Sequence, residues 1–130
     1  MVAIHAGCML AGLFGMAAGI TVALSARKKR WWLSIHKTCG ATGVLFVILG
    51  FAGAIYMVSR YTGTHFAVPH AYLGIVTILS ALFTFTMGIT QLKAGKKKAR
   101  IRLTHRWSGR VTLVLMLVNI LSGVSLAGIF

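Results

Sequence analysis

Four apolar stretches, each long enough to cross a bilayer and separated only by short connectors, leave this chain few choices of fold. They fall at about residues 2–25, 33–58, 69–92 and 104–129. A bilayer-spanning helix needs about 20 apolar residues, so 130 residues accommodate four spans with tight turns. A hydrophobic content of 58% fits that class. The expected fold is an all-α membrane protein, a four-transmembrane-helix bundle formed by residues 1–130 as a single domain. The first stretch carries its charge after the apolar run rather than before it, and it is too long for a signal peptide, so it is expected to remain as a helix.

The connectors set the expected orientation. Positions 27–37 hold five Lys and Arg, positions 93–110 hold eight, and the middle connector holds only Arg60. By the positive-inside rule, thirteen against one places both termini on the outer, non-cytoplasmic side. Trp31 and Trp32 suit the interface at the end of the first span. Gly63 and Pro69 mark the turn into the third.

Charge also excludes chemistry. There are 14 Lys and Arg, no Asp and no Glu. Carboxylate-bridged metals, Ser-His-Asp triads, Mg-phosphate sites and acidic proton relays each require a side-chain anion and are ruled out. The lysines lie beside the membrane, so nucleic acid is not an expected partner. Cys8 and Cys39 sit in apolar segments and read as small buried residues.

Histidine carries the remaining signal. His5, His36, His70 and His105 fall one per span, at spacings of 31, 34 and 35 residues. On the expected topology His5 and His70 share the outer level, and His36 and His105 the inner. The two levels lie roughly 20–25 Å apart at the helical rise. Three segments, "HKTCG", "HAYLG" and "HRWSG", repeat H-x-x-x-G, with Gly40, Gly74 and Gly109 one turn beyond each histidine. Gly88 and Gly123 stand 18 residues past His70 and His105, and Gly19 and Gly50 stand 14 past His5 and His36. Each helix therefore presents a nitrogen donor at one level and a bare patch near the other. Small residues also serve plain helix packing. Opposed imidazoles across a flat cleared slot describe a six-coordinate, bis-His haem in a four-helix bundle, and two pairs describe two haems. The competing metal reading joins Cys8 or Cys39 to a histidine pair as a His2Cys site for copper or zinc. Met9 and Met16 read as packing.

These segments are similar to the cytochrome b561 family, in particular its transmembrane domain found after DOMON modules. "HAGCM", "HKTCGATGVLFVILGF", "HAYLGIVTILSALFTFTMG" and "HRWSGRVTLVLMLVNILSG" resemble its four histidine-bearing helices in order, over nearly the whole chain. The resemblance implies haem b, two per chain, held by His5 with His70 and by His36 with His105. It implies transmembrane electron transfer, with quinol, ascorbate or another cytochrome as redox partner. Many members have six helices where this chain shows the core four, and a small subunit of a larger redox complex is the alternative expectation. Arg30, Arg100 and Arg102 stand where members that use ascorbate carry basic residues, and could equally meet haem propionates. His65 falls near a position where some members bind an acceptor.

Overall fold

The computed structural model describes residues 1–95 and 98–128. It contains four helices: α1 (Val2–Ser25), α2 (Trp32–Tyr61), α3 (Pro69–Lys93) and α4 (Lys98–Leu126), with no strand among the described residues. All four are long and apolar enough to cross a membrane. Even α1, of 24 residues, reaches about 36 Å at the helical rise, more than a hydrocarbon core of about 30 Å. Helix is the natural outcome, because lipid offers backbone N–H and C=O groups no other partner.

The helix ends follow local chemistry. Val68 is extended, as a residue before proline prefers to be, and Pro69 opens α3 with its φ already set. At the end of α2, Gly63 takes a φ of +69° and donates its N–H to the Val58 carbonyl at 2.8 Å. That left-handed turn is cheap only without a Cβ. α4 departs from expectation. It begins at Lys98 rather than near 104, so the basic stretch up to Arg102 is helix and not connector. Lys, Arg and Ala are strong helix formers, and they extend the helix past the hydrocarbon with their charges at the interface. α2 similarly continues to Tyr61, beyond the expected 58. Lys96 and Lys97 lie outside the described residues, as does Ile129, the last residue of the expected fourth span.

The bundle is built from two hairpins. α1 packs along α2 and α3 along α4, while α1 meets α4 and α2 meets α3 more sparsely. Among the described residues, the backbones of α1 and α3 do not approach closely, nor do those of α2 and α4, so these pairs are the diagonals of the bundle. Midway along it, Leu13, Met16, Val47 and Met116 form a buried cluster, joined by Ile78, Leu113 and Ile120, so all four helices contribute. Outward from it point Phe14, Leu79, Val114 and Leu121, each more than half exposed. An apolar girdle of this kind on every helix is a surface for lipid chains.

The two hairpins each follow an internal register. On α1 and α2 a shift of 31 residues superposes His5 on His36, Cys8 on Cys39, Gly12 on Gly43 and Gly19 on Gly50. On α3 and α4 a shift of 35 superposes His70 on His105, Gly74 on Gly109, Thr77 on Thr112, Thr84 on Asn119 and Gly88 on Gly123. The residues of the second set recur at intervals of four, three, seven and four, which keeps them on one helix face.

Candidate functional site

The histidines meet in pairs across the diagonals. The ring centroids of His5 and His70 lie 6.2 Å apart with planes at 90°. Those of His36 and His105 lie 5.9 Å apart with planes at 86°. Each pair joins helices whose backbones do not approach closely. The hairpins thus hold imidazoles facing one another across the bundle interior.

Backbone carbonyls of the neighbouring helix hold three of the four rings. His5 Nδ1 is 2.8 Å from the Gly50 carbonyl oxygen and His36 Nδ1 2.8 Å from that of Gly19, so α1 and α2 exchange reciprocal contacts. His105 Nδ1 is 2.9 Å from the Thr84 carbonyl oxygen. A carbonyl can only accept, so Nδ1 carries the proton and donates, and Nε2 is left as the lone-pair nitrogen. None of the four Nε2 atoms has a hydrogen-bond partner among the described residues. His70 is the exception at Nδ1, which is buried without a partner, as is Asn119 Oδ1.

Glycine clears the space these rings occupy. A Cβ on Gly88 would lie 3.0 Å from His105 Cε1, and one on Gly123 would lie 2.9 Å from His70 Cε1. Any larger residue would displace the imidazole. Gly40 borders open space, where a Cβ meets nothing within 4 Å, while Gly74 and Gly109 make one ordinary contact each, with Asn119 Nδ2 at 3.8 Å and Thr84 Cγ2 at 3.6 Å.

Sequence reasoning missed a set of hydroxyls between α3 and α4. Thr112 Oγ1 donates to the Ser108 carbonyl at 2.8 Å and lies 2.7 Å from Ser80 Oγ and 3.0 Å from Thr84 Oγ1. With its one proton spent on the carbonyl, Thr112 accepts from both neighbours, and its capacity is complete. Thr112 is fully buried and Thr84 nearly so. The clue was available, because Thr77 and Thr112 repeat at the same 35-residue shift as the histidines. The carbonyl acceptors had no clue of that kind, since every residue carries one.

The other expected residues are not drawn to the pairs. Arg30 is exposed in the α1–α2 connector, and Arg100 and Arg102 are exposed in the first turns of α4. His65 sits in the α2–α3 connector with Nε2 3.2 Å from Ser59 Oγ. The His2Cys reading is overturned: among the described residues no three of His, Cys, Asp and Glu gather as a metal group. The cysteines are free, and their Cβ atoms lie 3.1–3.4 Å from where side chains on Gly50 and Gly19 would begin, inside the α1–α2 seam. Met9 and Met16 are buried packing residues.

A family model described as eukaryotic cytochrome b561 matches residues 4–130. The chain belongs to the cytochrome b561 family. No curated protein and no solved structure matches it. Membership in the cytochrome b561 family, together with four spanning helices, makes the chain a multi-pass integral membrane protein of transmembrane electron transfer with b-type haem.

The paired histidines fit that cofactor. Metal–imidazole bonds run about 2.0–2.1 Å, so two such bonds with half a ring on either side span about 6 Å, the separation of both pairs. Unengaged Nε2 donors without any carboxylate are groups that would hold a haem iron. The carbonyl-bound Nδ1 protons supply the orienting contact that ligand histidines require.

Proposed function

We propose that the chain is a dihaem cytochrome, with His5 and His70 ligating one b haem and His36 and His105 a second, so that single electrons pass between the two membrane faces. The observation that carries this reading is the presence of two diagonal imidazole pairs, each spaced for one intervening atom. When bound, each haem supplies an iron that alternates between the ferric and ferrous states, one electron at a time.

The residues of the chain do the rest. The carbonyls of Gly50, Gly19 and Thr84 fix three imidazoles in the tautomer that leaves Nε2 free. Gly88 and Gly123 admit the rings of His105 and His70. The bare backbones of Gly40, Gly74 and Gly109, none with a neighbour closer than 3.6 Å to a Cβ position, suit a flat macrocycle next to the histidine one turn away. Leu13, Met16, Val47 and Met116 fill the interior between the two levels and keep water out. The lysine and arginine clusters at the ends of α1, α3 and α4 support termini facing the non-cytoplasmic side. Arg30, Arg100 and Arg102 then stand at the inner face, suited to propionates, lipid headgroups or an anionic donor such as ascorbate. Quinol or another cytochrome would serve as partner through the apolar flank or the basic end.

Pyridine haemochrome analysis of the purified chain tests the reading. Two b haems per chain are expected, and none rejects it. Replacing His70 with Ala should leave one haem with an unchanged spectrum. The near-perpendicular ring planes also predict large-g, strongly anisotropic low-spin ferric EPR signals from both sites, and rhombic signals of parallel imidazoles would contradict that geometry.

A further inference from the structure

Three of the four facing imidazoles hydrogen-bond a carbonyl through Nδ1, and the fourth does not reach one. His70 Nδ1 is buried with no hydrogen-bond partner, and the other buried side-chain atom without one, among the described residues, is Asn119 Oδ1. Asn119 is 4% exposed, deep between helices. Its Nδ2 lies 3.8 Å from where a Cβ on Gly74 would stand, one turn beyond His70 on the same face of α3. Two buried groups of opposite hydrogen-bonding character are thus left unspent in one neighbourhood, an arrangement that native structures rarely leave open.

The 35-residue register sharpens the point. Asn119 occupies on α4 the place that Thr84 occupies on α3, each four residues before the glycine that admits the opposite ring. At the Thr84 level the backbone carbonyl receives His105 Nδ1, and the hydroxyl is engaged by Thr112. At the Asn119 level the backbone carbonyl faces the His70 ring but does not reach hydrogen-bonding geometry. A longer side chain with its own acceptor stands at that position instead of threonine. The terminal torsion of an asparagine is soft, so its amide turns at little cost.

We propose that Asn119 is the positioning residue for His70, its Oδ1 accepting the Nδ1 proton; this rests on His70 being a haem ligand as proposed above. The two haem sites are then chemically unlike. One pair is held wholly by backbone carbonyls, which no substitution can remove. The other depends on one replaceable carboxamide. Donation from Nδ1 makes the imidazole a better donor to ferric iron and lowers the potential of its haem, so Asn119 sets the potential of the His5–His70 site independently of the other.

The test uses the full haem-loaded chain with Asn119→Leu, which keeps a branched side chain and removes the acceptor. With two haems bound, one midpoint potential should rise and one large-g EPR signal should move, while those of the other haem stay. Native potentials and signals for both haems would overturn the proposal, as would equal shifts in both. Should N119L fail to accumulate with two haems, the ferrous N119D protein with 15N-labelled histidine decides the matter. There, the ring N–H resonance that disappears on replacing His70 should move downfield alone, and four unmoved resonances would overturn it. A native chain without haem would reject the ligation itself, whereas two haems with no response to Asn119 would reject only the role of the asparagine.

Discussion

The α1–α2 seam and the α3–α4 seam perform one task with different chemistry. In the first, backbone meets backbone: a Cβ on Gly15 would lie 3.1 Å from Gly43 Cα and 3.3 Å from the Cys39 carbonyl oxygen. In the second, hydroxyls meet hydroxyls around Thr112. Membrane helices have no hydrophobic drive to associate, so close packing and interhelical hydrogen bonds are the available means. Each hairpin of this bundle relies mainly on one of them. The glycine seam brings carbonyls close enough to grip both of its histidines, at Gly50 and Gly19. The hydroxyl seam grips His105 through Thr84 and leaves His70 to a side chain. A seam made of backbone contact is rigid and intolerant, and a seam made of side chains is adjustable.

The sharpest way to break that contrast is to add one methyl group to the glycine seam. Gly43→Ala would put a Cβ 2.8 Å from Met16 Cγ, 3.0 Å from Met16 N and 3.1 Å from the Gly12 carbonyl oxygen. Two of those three neighbours are backbone and cannot step aside. Overpacking of this kind costs about 1–3 kcal/mol or more, so G43A should lower the thermal midpoint in detergent more than any other variant considered. Gly109→Ala, with its nearest neighbour at 3.6 Å, should change the midpoint of the haem-free chain little. Equal losses in the two proteins would remove the distinction between the seams.

Next in size are the glycines against the rings. Gly123→Ala would press on His70 and Gly88→Ala on His105, at 2.9 and 3.0 Å from Cε1. With two haems bound as proposed, each should reduce occupancy or shift the spectrum of one haem and spare the other, as read by haem content and redox titration. A variant that affected both haems alike would show that the two levels are not independent.

The hydroxyl seam predicts a milder loss. Thr112→Val keeps the shape and removes an acceptor that Ser80 and Thr84 share. Interhelical hydrogen bonds in membranes average about 0.6 kcal/mol and reach about 1.7. The thermal midpoint of T112V should therefore fall measurably, yet by less than that of G43A.

Much of this was legible in the sequence because the bilayer leaves so little freedom. Length and hydropathy dictate four helices, short connectors make them antiparallel neighbours, and one histidine per helix at near-constant spacing identifies the residues the bundle brings together. Gly88 and Gly123, read from the sequence as bare patches near the opposite level, do lie against His105 and His70. The grip on the rings was not legible. Gly50, Gly19 and Thr84 act through backbone oxygens, and only the way helices cross decides which oxygen a ring reaches. The start of α4 was misplaced because charge was read as connector, although lysine, arginine and alanine continue a helix readily. Asn119 was visible as a polar residue in an apolar run, but its proximity to Gly74 and its lack of a partner depend on the packing of α4 against α3.

The smallest effect lies outside both seams. Arg100 and Arg102 lie near the start of α4 and, like Arg30 before α2, are exposed, with no part in either seam or in the polar contacts around the histidines. Exposed substitutions away from packing usually change stability by less than about 0.5 kcal/mol. Replacing all three with Gln should therefore leave the thermal midpoint near that of the native chain. If these arginines hold propionates, the triple variant should shift the potential of one haem, the pair at their own membrane face, and spare the other. If they meet an anionic donor, both potentials should stay while the reduction rate falls and loses its dependence on salt, because salt screens attraction between exposed charges beyond about 10 Å at 0.1 M ionic strength. If they only anchor the chain to lipid, both potentials and the rate should stay. A large loss of stability would instead mean that the basic ends help hold the hairpins together, and the two seams alone would no longer account for the bundle.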